Sequence, residues 1–424
     1  MNLLLKSAKI IAPSNSQLHL KKRDILIRNG KIVQIAASIE ADKSVKLIDF
    51  KNLHVSAGWF DSSVSFGEPG YEERETIDNG LRTAGKSGFT DIVLNPNTMP
   101  VPDSSSDIVF LRNQAKGRAT ALHPLGTLTV KGQGSDLAEL FDMRNSGAVG
   151  FYDYKQAISN SNLLKIALLY ARNFDGLVHS FPRDNQIAGN GIANEGKIAT
   201  SLGLKGVPAL AEALQVARDL YILEYTGGKL HIPTLSTPQA VQLVQEAKKK
   251  GLDVSCSIPI HNLLFTDEKL LEFDSEYKTN PPLRTASDAR SLVKAVEKGI
   301  IDLVTTDHSP LNIEEKRVEF EQAGYGTIGL ETAFGSLQRL FSLETTIELL
   351  TRGRDRYGID KVEIGEGEEA KLTLFDPDRE YTFTEEQILS ASKNSMFLGE
   401  KMKGYVYGVI ANGKTELKKK KDGR

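Results

Sequence analysis

Between about Leu53 and Thr332, short apolar runs rich in β-branched and aromatic residues alternate with longer segments whose apolar positions recur at helical spacing. That alternation predicts parallel strands joined by crossover helices. Eight runs occur in order: HVSAGWFDSSVSF, FTDIVLNPN, TALHPLGTLTV, GAVGFYDY, GLVHSF, KLHIPTLS, DVSCSIPI and IDLVTTDHSP. Segments such as GVPALAEALQVARDLYILEY and TPQAVQLVQEAKKKG lie between them with helical period and length. Eight strands interleaved with helices predict a (β/α)8 TIM barrel, of the α/β class, rather than an open doubly wound sheet.

The two ends of the chain are patterned differently. DILIRNGKIVQIA sets Asn29-Gly30 between two alternating apolar runs, and GYVYGVIANGK repeats the device with Asn412-Gly413. Asn-Gly between alternating runs is the strongest short-range hairpin signal. A small β-sandwich domain assembled from residues 1–53 and 361–424, with the barrel at 54–360 inserted between them, accounts for both.

Composition narrows the function classes. The 424 residues are 40% apolar with a formal charge of −2, enough for a large core and too balanced to favour nucleic acid. The terminal KKKKDGR reads as a solvated tail. One cysteine, Cys256, excludes an internal disulfide and reads as a packing residue in an apolar run. No apolar run reaches the roughly 18 residues that a membrane span requires. A soluble, cytoplasmic protein is the expectation.

Barrel enzymes gather their chemistry at the C-terminal ends of the strands. Those ends carry Asp61, Ser63, Ser65, Asn95, Asn97, Asp153, His179, Thr234, His261, Asp307 and His308. Alternation along a strand puts Ser63 and Ser65 on one face with Asp61. Two residues at that spacing can reach one metal ion, but a neutral hydroxyl is a poor ligand for a divalent ion that prefers imidazole, thiolate or carboxylate. Either the serines mark a site that has lost its ligands or they simply line a polar cavity. Asp153 reads as a ligand or as a capped loop carboxylate, and His179 as a ligand or as a satisfied interior histidine. Asp307 reads as a general base in a polar mouth. His231, at odd offset from Thr234, is expected to face the other way, and Lys155 is expected to be solvated rather than carboxylated between metals.

At these motifs the chain resembles the dihydroorotases of the amidohydrolase superfamily, in the longer type related to the domain of the multifunctional pyrimidine enzymes. GWFDSSVSFGEPG is similar to the family's P-G-F-[ILV]-D-x-H-x-H-x-R-E-P-G, and NPNTMP to its P-N-T-x-P. LHIPTLST resembles H-I-x-H-x-S-T, KTNPPLR resembles N-P-P-L-R, DLVTTDHSP resembles A-T-D-H-A-P, and GTIGLETAF resembles G-x-x-G-x-E-T-A. The resemblance implies a metal site built from two first-strand histidines, a fourth-strand Asp or carboxylated Lys, histidines on strands five and six, and an eighth-strand Asp. Position by position, Asp153, His179 and Asp307 match, whereas Ser63, Ser65 and Thr234 stand where histidines are expected. Gly67 stands where the family's arginine grips the substrate carboxylate, and Asn97 and Asn280 match its substrate contacts. The resemblance, with these losses, implies a catalytically silent relative in pyrimidine biosynthesis, without a cofactor. It would be a homo-oligomer with a scaffolding role, similar to the inactive dihydroorotase-like subunits that accompany aspartate transcarbamoylase. The alternatives are an active zinc enzyme that uses Asp153, His179 and Asp307 as a one-metal site for N-carbamoyl-aspartate and dihydroorotate, or for another cyclic amide, and a small-ligand sensor.

Overall fold

The computed structural model describes residues 1–40 and 44–419. Lys418 and Lys419 are among them, and the rest of the basic tail lies outside the described residues. The Lys418 ammonium stands 4.7 Å from the Tyr405 ring centre, so the tail begins against the protein rather than in solvent.

Seven of the eight predicted strands form. Trp59–Val64, Phe89–Leu94 and Ala121–Pro124 pair in parallel, as do Leu177–His179, Lys229–Ile232, Val254–Pro259 and Leu303–Thr305. Single parallel bridges close the ring: Phe151 pairs with both Gly126 and Val178, and Val64 pairs with His308. The fourth run thus contributes one residue to the barrel. Asp153 draws the following chain onto the Leu128 and Thr129 amides instead of along its neighbour. The predicted helices span Ala209–Thr226 and Pro238–Lys249 and bury Val216, Leu220 and Leu223 on one, and Val241, Val244 and Ala247 on the other. Thr237 caps the second by accepting from Ala240 N, with Pro238 following where an amide is not needed.

The terminal segments hydrogen-bond as one eight-stranded sheet in the order Lys414–Leu417, Lys401–Ala411, Leu372–Thr382, His54–Ala57, Asn2–Ile10, Lys22–Arg28, Lys31–Ala36, with Lys46–Ile48 joined to Asn2–Ile10. Both hairpins turn where the sequence indicates: Asn29 and Gly30 take φ 50° and 80°, and Asn412 and Gly413 take 51° and 68°. Positive φ at both central positions is the twist-compatible turn that Asn-Gly favours. His54–Ala57, read above as part of the first barrel run, belongs to this sheet, so the chain enters the barrel at Gly58. Trp59 is buried just past the crossing, among Phe89, Phe334 and Phe375, and its Nε1 donates to Ser56 Oγ at 3.0 Å.

Two buried lysines join the loops that follow the seventh and eighth strands. Lys278 Nζ donates to the Phe320 and Glu321 carbonyls at 2.7 and 2.8 Å, and Lys316 Nζ returns the contact to Ser275 O at 2.6 Å. Burial holds the Lys316 ammonium down to about 8. Among the described residues no helix is long and apolar enough to cross a membrane.

Candidate active site

The first and eighth strands are fastened together below the mouth. Asp61 accepts from Thr305 Oγ1, from Ser63 N at 3.0 Å and from Thr306 N at 3.0 Å. One turn of side chains higher, Ser63 Oγ donates to Asp307 Oδ1 at 3.1 Å. Asn95 Nδ2 donates to both Ser63 Oγ and Ser65 Oγ, each at 3.1 Å, so the two serines do share a face. Lys155 Nζ completes the set with a 2.8 Å ion pair to Asp307 Oδ2. Burial pushes the Asp307 carboxyl up, against the opposing pull of Lys155 and Ser63. The same pair works the other way on the lysine: burial lowers it, and the Asp307 charge raises it to a net upward shift. Its side chain is only 10% exposed, so the expectation of a solvated Lys155 is corrected. A carboxylate buried that deeply must be protonated or paired with a cation, and Lys155 is within reach.

The other candidate ligands do not converge on that pair. Both Asp153 oxygens are occupied, Oδ1 by Leu128 N at 2.9 Å and Thr129 N at 3.0 Å, Oδ2 by Thr129 Oγ1 at 2.6 Å. Of its two readings, the geometry is that of the capped loop carboxylate. His179 lies in the barrel interior, its ring 4.9 Å from His231 and its Nε2 3.3 Å from Tyr357 OH. Burial, with Arg356 adding to it, lowers His179 to about 3, so it is a neutral ring. His231 pairs in register with His179 and has its two nitrogens on Ser255 and Ser257 Oγ, at 2.8 and 3.2 Å. It faces inward with His179, not to an opposite face. The parity rule fails because the strand ends at Ile232, two residues before Thr234.

Three non-glycine residues of the mouth carry left-handed backbone: Lys155 at φ 53°, Thr234 at 51° and Asp307 at 48°. A β-branched residue there is an outlier, and such strain gathers at functional sites. Thr234 Oγ1 and both ring nitrogens of the buried His261 have no hydrogen-bond partner among the described residues. Burial, then the charge of Lys155, lowers His261 to about 3. His308 is half-satisfied by contrast, its Nδ1 accepting from Gly329 N at 3.1 Å while its Nε2 has no partner among the described residues.

These residues do not fit a divalent metal centre. Among the described residues no three histidine, cysteine or acidic side chains are grouped to hold an ion. At the first strand the donors are hydroxyls, and Asp307 is already paired with an ammonium.

The dihydro-orotase-like family matches residues 54–240. A dihydroorotase of Pelotomaculum thermopropionicum is 34% identical over 98% of this chain and 99% of its own length. One from Caldicellulosiruptor saccharolyticus is 37% identical over 99% of each chain. The chain belongs to the dihydroorotase family. Its fold is shared with solved structures: L-hydantoinase (dihydropyrimidinase) from Arthrobacter aurescens superposes with a TM-score of 0.84 at 21% identity, over 98% of this chain and 97% of that one. Dihydropyrimidinase from Brevibacillus agri gives 0.81 at 21% identity, over 97% and 94%.

Within this dihydroorotase frame the substrate positions differ in what survives. At Gly67 a Cβ would sit 1.7 Å from the Tyr71 carbonyl oxygen, and Tyr71 N bonds back to Gly67 O at 2.8 Å. The loop has closed on the place where the family's arginine is expected. Asn97 Oδ1 has no partner among the described residues, whereas Asn280 Oδ1 accepts from Arg183 Nη1 at 3.2 Å. Lys155 is the site residue that sequence reasoning misjudged. Its signal was charge balance, since a buried Asp307 beside hydroxyls that hold a cation poorly needs a counter-ion from elsewhere in the chain.

Proposed function

We propose that this member of the dihydroorotase family is catalytically silent and serves pyrimidine biosynthesis as a cytoplasmic scaffold, assembled as a homo-oligomer with aspartate transcarbamoylase. The observation that carries the loss of activity is the Lys155–Asp307 ion pair flanked by Ser63 and Ser65. Opening or closing a ring amide needs an activated water and a polarised carbonyl. Asp307 is the residue suited to take the proton, and both its oxygens are engaged, one by an ammonium. With glycine at position 67, the bidentate grip on a substrate carboxylate is gone as well.

The opposing reading is an active zinc-dependent dihydroorotase, or a hydrolase of another cyclic amide, with a depleted one-metal site. The names carried by relatives that match over nearly full length favour it. Interconversion of N-carbamoyl-aspartate and dihydroorotate, measured with and without added zinc, separates the two. Turnover no faster than buffer supports the silent reading, and robust zinc-dependent turnover overturns it. Co-purification with transcarbamoylase, together with a change in that enzyme's assembly state, tests the scaffold. Failure of both abandons that partner.

A further inference from the structure

We infer that the Lys155 ammonium is the mouth's built-in counter-ion, so the site is closed to a divalent metal by charge as well as by the loss of its ligands. The inference deepens the silent reading and rests on it. Asp307 is 2% exposed, and a carboxylate that deep must be neutralised or paired. Each of its oxygens has one side-chain donor, Ser63 Oγ at 3.1 Å and Lys155 Nζ at 2.8 Å.

The position of the lysine matters as much as its charge. It follows the fourth strand position, marked by the bridge at Phe151, while Asp307 lies two residues past the end of the eighth strand. In a ring of eight, the fourth and eighth places lie across from each other, so the lysine side chain spans the mouth rather than lining it. The residue accepts left-handed backbone, φ 53°, in making that reach. Tyr154 flanks it, with Nζ 5.3 Å from the ring centre. The rest of the network points the same way. Asn95 Nδ2 donates to two serine hydroxyls, and His261, beside Lys155, has no partner on either ring nitrogen among the described residues. A divalent ion seated against Asp307 would face the ammonium at contact distance, so restoring ligands alone would not restore the site.

The test uses full-length protein and zinc ion as the probe. Two variants carry imidazoles at the first-strand and sixth-strand positions, Ser63→His, Ser65→His and Thr234→His, one with Lys155 intact and one with Lys155→Met added. Zinc affinity is measured by competition with a chromogenic chelator after thermal melts show folded protein. The variant lacking the lysine is expected to bind zinc at least about 10-fold more tightly. Equal affinity overturns the inference while leaving the silent reading intact, whereas tight zinc in the unaltered protein overturns both. If the imidazole variants do not fold, a double-mutant cycle in the unaltered frame decides. Lys155→Met is expected to lower the thermal midpoint, and Asp307→Asn on top of it to recover most of the loss. Losses that simply add would show two independent residues and overturn the inference.

Discussion

The two ends of the barrel each bury an aspartate, and they treat it differently. At the N-terminal end, Asp91 receives His123 Nε2 at 3.1 Å, Arg354 Nη2 at 3.0 Å and Thr90 Oγ1 at 2.9 Å, with Lys371 at 3.8 Å. Burial alone would raise its carboxyl, but the His123 bond and the charges of Arg354 and Lys371 hold it well below the usual range. At the mouth, Asp307 has one ammonium and one hydroxyl, and its carboxyl stays above the usual range. The floor is a saturated polar network of the kind that holds a barrel together. The mouth keeps the strain and the unpartnered atoms of a site arranged for something else.

The largest effect is expected at the floor. Arg354→Met removes the guanidinium paired with buried Asp91, leaving it His123, Thr90 and the more distant Lys371, breaks the contact to Gly58 O, and should cost about 3–5 kcal/mol in urea unfolding. A loss below about 1 kcal/mol would erase the contrast. Lys155→Met should cost less, about 2 kcal/mol, because Asp307 is already raised and can take up a proton instead. A loss as large as that of Arg354→Met would mean the two ends are equivalent.

Acid sharpens the comparison further. His261 is held near 3 in the folded chain, against about 6.5 unfolded, so between those values the unfolded chain binds a proton that the folded chain does not. Stability therefore falls as pH drops below about 6.5, by about 2 kcal/mol per such histidine at pH 5. Asp91, shifted downward, contributes a constant amount in that window and loses it only below about pH 4. His261→Gln should flatten the slope between about pH 5 and 6.5 by about one proton in urea titrations, and an unchanged slope would show that the ring is already charged or solvated. The smallest effect belongs to Thr234→Asn, which relieves a β-branched residue at φ 51° and should gain about 1 kcal/mol.

How much was legible in the chain itself depends on the range of the forces involved. Strand alternation, helical period and Asn-Gly turns are local, and they pointed to seven of the eight barrel strands and both hairpins. The family motifs pointed to Ser63, Ser65, Asp307 and the rest of the mouth. Parity along a strand misplaced His231 because the strand stopped short of Thr234. The destination of Lys155 depends on a partner 152 positions away, and that of Asp153 on amides 24 and 25 positions back, so neither is written in a neighbouring residue.

On the proposal made above, this mouth carries the Lys155 ammonium in place of a catalytic cation. Elemental analysis of full-length protein purified without chelator, then dialysed against zinc and desalted, tests that claim most directly. Zinc far below one equivalent per chain is the expected result. One or more tightly held equivalents, lost on Asp307→Asn substitution, would contradict it.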